Sequence, residues 1–295
     1  MTDASPYRSW AATPLAGDAS SRRYARLAGP EGRTAIAVEN DATLARGLCI
    51  ITWLRALGLA APEPLWSDPA ARRAVLEDLG PLTVAEAIAR GEVRADTAYA
   101  AARDVLDRIA TAQPPAGLDP ITPARAADMV GLTAEMVPGI DPAAFAELQA
   151  ALRGTYATLG LADTVALRDF HAENLIWRGD RRGIDRIGLI DTQDAVLAPA
   201  GYDLASLVDD PRHAIDPALR TRLVGSEADR VSVLSYQRNL RILGIFLRLA
   251  SKLGKPRYLA FLPRTRSLVD DALRSPALAS LRPLHQAAFA KARWP

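Results

Sequence analysis

Cysteine is nearly absent from this sequence. Cys49 is the single one, which excludes a disulfide within the chain. It lies in the apolar run 48–51, so we expect a buried thiol. No run approaches the ~18 apolar residues that span a bilayer, and the first ten residues lack the basic and then apolar layout of a signal peptide. These absences predict a protein of the reducing cytoplasm.

An excess of charge of either sign is also lacking. The 295 residues include 36 Lys and Arg against 34 Asp and Glu, for a net charge of +2 at pH 7. A balanced chain has no global attraction to nucleic acid or to a membrane surface, so we expect neither as a partner. The length suffices for two lobes. We expect a monomer.

Strand signals dominate the first part of the chain, and helix signals dominate the rest. Three short strands are predicted, at 23–27, 34–38 and 73–76. Apolar residues recur at helical spacing over 44–57, until Gly58 ends the pattern. Helices prevail from the capping box at 83–86 onward. The pattern predicts an α+β protein with a small β-rich lobe, residues 1–80, and a larger helical lobe, residues 81–295.

Three short apolar runs interrupt the helical part. They are of strand type and lie at 165–167, 175–177 and 187–190. A turn-like segment at 179–183 joins the last two. We therefore expect a hairpin that is formed by the second and third runs.

Acidic and amide side chains flank these runs. Asp169 precedes Asn174 by five positions, and Asp191 follows the third run. The hairpin would bring Asn174 and Asp191 side by side. Phosphoryl transfer needs an acidic group beside the acceptor hydroxyl. It also needs oxygen donors for Mg²⁺, which carboxylate and amide groups supply. The pattern therefore indicates a kinase.

This arrangement resembles the catalytic and metal loops of protein kinases, and more closely those of the aminoglycoside phosphotransferase and choline kinase family. That family's loop usually reads His-Gly-Asp-x-His-x-x-Asn, where residues 167–174 read Leu-Arg-Asp-Phe-His-Ala-Glu-Asn. The resemblance implies a two-lobed protein-kinase-like fold with ATP and Mg²⁺ as cofactors. It implies Asp169 as the catalytic carboxylate and Asn174 and Asp191 as metal ligands.

Two further residues take supporting roles through the same resemblance. His171 would fix the catalytic loop by hydrogen bonding. Asp203 lies in the segment 201–205, Gly-Tyr-Asp-Leu-Ala, which matches the family's helix after the metal loop. We expect Asp203 to brace the loop and not to react.

The nucleotide side has weaker signals. A loop at 17–24 precedes the first predicted strand and could fold over phosphates. Its candidate phosphate contacts are Ser20, Ser21, Arg22 and Arg23. The segment 75–79 resembles the kinase hinge whose backbone binds adenine, which makes Glu77 and Leu79 candidate nucleotide contacts.

The lysine that kinases of this class carry on an early strand is missing. Segment 34–39 has no Lys, and 42–60 has no acid that could pair with one. A joint loss of both partners suggests a subgroup that neutralises phosphates differently, and Arg22 and Arg23 are the candidates.

Four segments resemble the bacterial anomeric kinases of N-acetylmuramate and N-acetylglucosamine, which serve cell-wall recycling. They are 18–24, 77–80, 191–195 and 236–246. The last contains the candidate substrate residues Arg238 and Asn239. The resemblance implies ATP-dependent phosphorylation of a sugar's anomeric hydroxyl. Two alternatives stay open: a kinase for another acceptor, such as choline or an aminoglycoside, and a catalytically idle protein that binds nucleotide.

Overall fold

The computed structural model describes residues 5–15 and 22–295. The chain divides into two compact units. The first unit holds the described residues up to Pro115 together with Ala172–Ala195, and the second unit holds Ala116–His171 and Val196–Pro295.

Short strands alternate with helices along the chain. In the described residues the strands are β1 (Ala11–Pro14), β2 (Arg23–Ala28), β3 (Thr34–Glu39), β4 (Pro64–Asp68), β5 (Arg73–Glu77), β6 (Thr164–Ala166), β7 (Leu175–Trp177), β8 (Ile187–Leu189) and β9 (Val196–Ala198). The α-helices there are α1 (Leu44–Ala56), α2 (Val84–Ala89), α3 (Ala95–Ala110), α4 (Pro123–Met129), α5 (Gly131–Met136), α6 (Pro142–Ala157), α7 (Tyr202–Val208), α8 (Pro217–Val224), α9 (Ala228–Lys252), α10 (Leu262–Ala272) and α11 (Leu281–Phe289).

An antiparallel sheet of β1, β2, β3, β5 and β4, in that order, forms the core of the first unit. Alternate apolar residues of its central strands share one buried cluster, which contains Leu27, Ala35, Ala37 and Val75. The sequence predicted β2, β3 and β5 from short runs of strand type. It missed the two edge strands β1 and β4.

The hairpin of β7 and β8 also belongs to the first unit, and its antiparallel pairing agrees with the prediction. The Trp177 N–H donates to Leu82 O at 2.9 Å, and the Leu189 N–H donates to Ala60 O at 2.8 Å. Gly188 allows the close approach, because a Cβ there would lie 2.9 Å from Leu79 Cδ1. The hairpin is therefore fastened to the chain around the end of α1 and the start of α2.

The second unit is helical and packs around α9, with β6 and β9 as a short antiparallel pair. Helix α5 lies against α9 at Gly244, where a Cβ would come within 2.6 Å of the Thr133 N atom. The buried Thr133 hydroxyl donates to Leu240 O and accepts from the Gly244 N–H. Among the described residues, no helix is both long enough and apolar enough to cross a membrane.

One expectation for α1 is wrong. Cys49 is exposed, because the buried face of α1 contains Leu44, Ile50, Ile51 and Leu54 and this phase turns position 49 outward. The α+β fold class is confirmed. The predicted lobe boundary near residue 80 stays a prediction. The predicted lobes are defined by the ligands that they bind, whereas the two compact units are defined by packing alone.

Candidate active site

The loop that carries Asp169 is held by side chains of α7 in the second unit. The Asp203 carboxylate accepts the N–H groups of Leu167 and Arg168 at 2.5 and 2.9 Å. The Ser206 hydroxyl donates to Arg168 O at 3.1 Å. Arg168 has a φ of 71°, which is rare for a residue with a Cβ. The loop therefore holds a strained backbone directly before Asp169, and strain of this kind clusters at functional sites.

Asp203 is 5% exposed, and burial raises its pKa from 3.8 to about 7, although the two N–H groups act in the opposite direction. Its two oxygens are occupied by the loop backbone. This geometry is compatible with the predicted bracing role of Asp203, which stays a prediction, and Asp169 is a half-buried carboxylate of the same loop.

His171 is enclosed by the same unit. It is 4% exposed, and its Nδ1 lies 3.9 Å from Asp210 Oδ2. Burial lowers the pKa of His171 to about 4, so the ring is neutral at pH 7. Asp210 in turn binds Arg212, with Nη1 and Oδ1 at 2.9 Å. A neutral, buried imidazole suits the predicted role of fixing the loop and not that of a proton acceptor for the substrate.

The candidate metal ligands lie in the first unit, where the β7–β8 hairpin brings them together. The Ile190 N–H donates to Asn174 O at 3.3 Å, which extends the ladder by one step beyond Leu175 and Leu189. Asp191 follows with a φ of 58°. Asn174 and Asp191 thus come from neighbouring ends of paired strands, although they are far apart in sequence.

The donor chemistry of this pair fits Mg²⁺. A carboxylate and an amide oxygen are hard ligands, and Mg²⁺ is usually bound through one or two such groups together with substrate phosphates. Among the described residues, no cluster of three or more His, Cys, Asp or Glu side chains could hold a metal alone. The pair therefore suits an ion that arrives with a phosphate ligand.

Arg22 and Arg23 have different partners. Arg22 Nη1 lies 3.0 Å from Asp191 Oδ1, and the Arg22 side chain is only 14% exposed. Arg23 is 69% exposed and lies 3.5 Å from Glu39. The neighbouring Tyr24 has its pKa raised to about 12, chiefly by burial and then by Asp191. Of the two arginines, the structure thus brings Arg22 to the candidate metal ligand. Ser20 and Ser21 lie outside the described residues.

The side chain of Glu77 binds other residues of the first unit. Its Oε2 accepts the Glu63 N–H at 3.0 Å and lies 3.5 Å from Arg55 Nη1. Leu79 packs with its side chain over Gly188 of β8. Nucleotide binding by Glu77 and Leu79 would therefore use their backbone groups, and it stays a prediction.

Two anchors of the first unit were missed by the sequence interpretation. Arg26 of β2 binds the Asp78 carboxylate, with Nε and Oδ2 at 2.7 Å, and also donates to Gly80 O at 3.0 Å. Arg46 of α1 donates to Ala195 O, just beyond the candidate metal segment. Each of these arginines lies among apolar residues, which could have indicated a structural role. No spacing rule, however, predicts which distant carboxylate or carbonyl group such an arginine binds.

The candidate substrate residues on α9 have separate surroundings. Asn239 is fully buried, and its Nδ2 donates to Asp209 O at 3.1 Å and to Ser235 Oγ at 3.2 Å. Arg238 is 2% exposed and interacts electrostatically with Asp203, Asp210 and His171. Asn239 therefore holds the backbone after α7, whereas Arg238 faces the charged cluster around the Asp169 loop.

Sequence comparisons show the family of the chain. The profile of the family described as "Phosphotransferase enzyme family" matches residues 11–234. A Caulobacter vibrioides protein named N-acetylmuramate/N-acetylglucosamine kinase is 37% identical, over 91% of this chain and 89% of the relative.

Solved structures share the fold. A choline/ethanolamine kinase family protein from Mesorhizobium loti matches with a TM-score of 0.67 at 14% identity, over 95% of this chain and 93% of the other. An amicoumacin kinase in complex with AMP-PNP and Ca²⁺ matches with a TM-score of 0.62 at 13% identity, over 88% of each chain. The fold is therefore that of choline kinase-like and aminoglycoside phosphotransferases. The chain is an enzyme that belongs to the phosphotransferase family.

Proposed function

We propose that this enzyme transfers the γ-phosphoryl group of ATP to the anomeric hydroxyl of N-acetylmuramate and N-acetylglucosamine. The sugar oxygen forms a bond to phosphorus, the bond to ADP breaks, and the hydroxyl proton leaves. The products are a sugar 1-phosphate and ADP. A role in cell-wall recycling follows from these substrates and is part of the proposal.

Asp169 orients the acceptor hydroxyl and accepts its proton. The observation that carries the proposal is the bracing of its loop, in which Asp203 and Ser206 hold both sides of the Arg168 peptide. A fixed carboxylate lowers the barrier by positioning, and phosphoryl transfer needs little covalent help beyond that.

Asn174 and Asp191 would hold the metal ion through their amide and carboxylate oxygens. Bound Mg²⁺ would neutralise charge on the phosphate oxygens. Arg22 supplies a further positive charge from the first unit, in place of the missing strand lysine. Its 3.0 Å contact with Asp191 supports this assignment, because it puts a guanidinium, a group that binds phosphate well, beside a residue that would hold the metal.

The proposed substrate derives its support from the curated relative, whose name gives both amino sugars. The structural neighbours with choline kinase names are 14% identical or less and speak for the fold alone. The sugar and the anomeric position therefore need a direct test.

The test is an ADP-release screen with N-acetylmuramate, N-acetylglucosamine, glucose, choline and kanamycin as acceptors. We expect turnover with both N-acetyl sugars and little with glucose, because a site built to bond an acetamido group loses affinity when its own polar groups stay unpaired. The product should lose its phosphate in mild acid, as a 1-phosphate does and a 6-phosphate does not. Fast turnover with choline or kanamycin and none with either amino sugar would overturn the substrate and leave the family intact.

A further inference from the structure

Three arginines of the second unit, Arg168, Arg238 and Arg241, lie close to one another near Asp169. Arg238 and Arg241 lie three positions apart on α9, which puts them on neighbouring turns of one helix face. Helix α9 packs against α7, and α7 carries the Asp203 that holds the Asp169 loop. Arg168 is part of that loop. Arg168, Arg238 and Asp169 all act electrostatically on Arg241, so the three guanidinium groups lie near one another and near that carboxylate.

Electrostatic interactions within the unit agree with this convergence. Burial lowers the pKa of Arg241, Tyr202 and Asp169 raise it, and Arg168 and Arg238 lower it further. Each arginine is thus close enough to Arg241 to repel it. Such repulsion inside a folded unit is costly unless an anion compensates it.

The carboxylates of the unit are largely committed elsewhere. Asp210 binds Arg212 at 2.9 Å, and Asp203 has both oxygens on the loop backbone and a pKa of about 7. Asp203 and Asp210 thus act on Arg238 while they also hold other groups, and Asp169 acts on Arg241. Two buried nitrogen atoms of these arginines have no hydrogen-bond partner among the described residues. They are Nη1 of Arg238 and Nε of Arg168.

We propose that Arg168, Arg238 and Arg241 form a subsite for an anionic group of the acceptor, and that the preferred acceptor is a sugar that carries a carboxylate. This inference rests on the proposed function and narrows it. Guanidinium groups bind carboxylates through paired N–H donors. Of the two sugars in the proposal, N-acetylmuramate has a carboxylate on its lactyl ether and N-acetylglucosamine has none. A cationic acceptor such as choline would meet like charge.

The experiment compares N-acetylmuramate with its methyl ester, which differs mainly in the loss of the negative charge. We expect the natural enzyme to favour the acid over the ester in kcat/KM by roughly 10-fold or more, the effect of one or two hydrogen bonds between charged groups. Arg241→Gln should reduce that preference roughly 10-fold. Arg248→Gln is the matched control, since Arg248 lies on the same helix and is exposed.

Arg238 is so deeply buried that Arg238→Gln could prevent folding, so the half-buried Arg168 and Arg241 carry the test. Calorimetric titration of the acid and the ester onto nucleotide-free enzyme gives a second readout. Tighter binding of the acid, lost in Arg241→Gln, supports the subsite. Equal binding and equal turnover of acid and ester would overturn it, even if both are phosphorylated and the proposed function stands. Absence of turnover with either sugar refutes the proposed function, and the titration then still decides the subsite.

Discussion

The guanidinium of Arg22 lies 3.0 Å from the carboxylate of Asp191. A candidate phosphate-binding cation thus occupies an oxygen of the candidate metal ligand. Burial opposes the charge on Arg22, but Asp191, Tyr24 and two further acids outweigh it and raise its pKa. Arg22 and Asp191 therefore form an ion pair, and a metal ion that binds Asp191 as proposed would have to compete with Arg22 for that carboxylate.

Replacement of Arg22 should strengthen the binding of a metal ion and weaken the binding of the nucleotide. Arg22→Gln removes the competitor, so we expect Mn²⁺ to bind more tightly to nucleotide-free enzyme, as measured by electron paramagnetic resonance. The same change removes a phosphate contact, so the KM for Mg-ATP should rise roughly 10-fold. Arg23→Gln is the control, because Arg23 is exposed and pairs with Glu39. Unchanged Mn²⁺ affinity in Arg22→Gln would contradict the competition.

Loss of either metal ligand should abolish most Mg²⁺-dependent turnover. Asp191→Ala should be more damaging than Asn174→Ala, because it removes a formal charge as well as an oxygen donor. Activity titrated against Mg²⁺ concentration measures this. Asp180→Ala serves as the control, since it removes an exposed carboxylate from the turn of the same hairpin. Full activity in excess EDTA would exclude the two-ligand site.

Asp169→Asn keeps the shape of the side chain and removes the proton acceptor. We expect kcat to fall on the order of 10²- to 10⁴-fold, the range for loss of a positioned general base. Nucleotide affinity, measured by calorimetry, should stay close to that of the natural enzyme. Asp163→Asn changes an exposed acid shortly before β6 and should leave turnover intact. Near-native turnover in Asp169→Asn would show that another group accepts the proton.

Much of this architecture could be predicted from local patterns. The capping box of α2 has both of its hydrogen bonds, between Thr83 and Glu86, and the Asp141 side chain caps α6 by accepting the N–H groups of Ala143 and Ala144. The β7–β8 hairpin followed from two apolar runs and a turn. These signals are local, because each depends on neighbours in sequence.

Contacts between distant segments could not be predicted in the same way. Arg22 and Arg23 are adjacent and chemically identical, yet only the fold shows that one reaches Asp191 and the other Glu39. Asn239 and Arg238 are likewise adjacent, and the helix turns the amide toward the Asp209 backbone. Arg241 stands three positions after Arg238, so helical spacing could have indicated it.

The contact between α5 and α9 should depend on Gly244. A Cβ at this position would come within 2.6 Å of the Thr133 N atom and 2.7 Å of the Leu132 carbonyl carbon, which are backbone atoms with little freedom. We expect Gly244→Ala to lower the free energy of unfolding by about 1–3 kcal/mol, the usual effect of overpacking. Gly154→Ala in α6 is the matched control, because no atom lies within 4 Å of the added Cβ. It should be neutral or stabilise by up to about 1 kcal/mol. Urea denaturation distinguishes the two, and equal effects would contradict the close packing.

Asp203 should give the protein a measurable pH dependence of stability. Its pKa is about 7 in the folded protein, raised by burial from the usual 3.8. As pH rises between these values the unfolded chain releases this proton while the folded protein keeps it. The unfolded state then binds fewer protons, so the stability contributed by this group falls with rising pH. Asp203→Asn cannot titrate and lacks this fall.

We therefore expect the natural protein to lose stability relative to Asp203→Asn between pH 4 and pH 8, by an amount on the order of a few kcal/mol. Urea denaturation at several pH values measures the difference, and Asp163→Asn should follow the natural protein throughout. A difference that is constant with pH would contradict the raised pKa. The N–H groups of Leu167 and Arg168 bind different oxygens of Asp203, so the amide nitrogen in Asp203→Asn replaces one acceptor and one of these two bonds is lost. The kcat of Asp203→Asn should therefore fall even at pH values where this variant is more stable than the natural protein. The reason is that the Asp203 carboxylate holds the Asp169 loop although its burial costs stability.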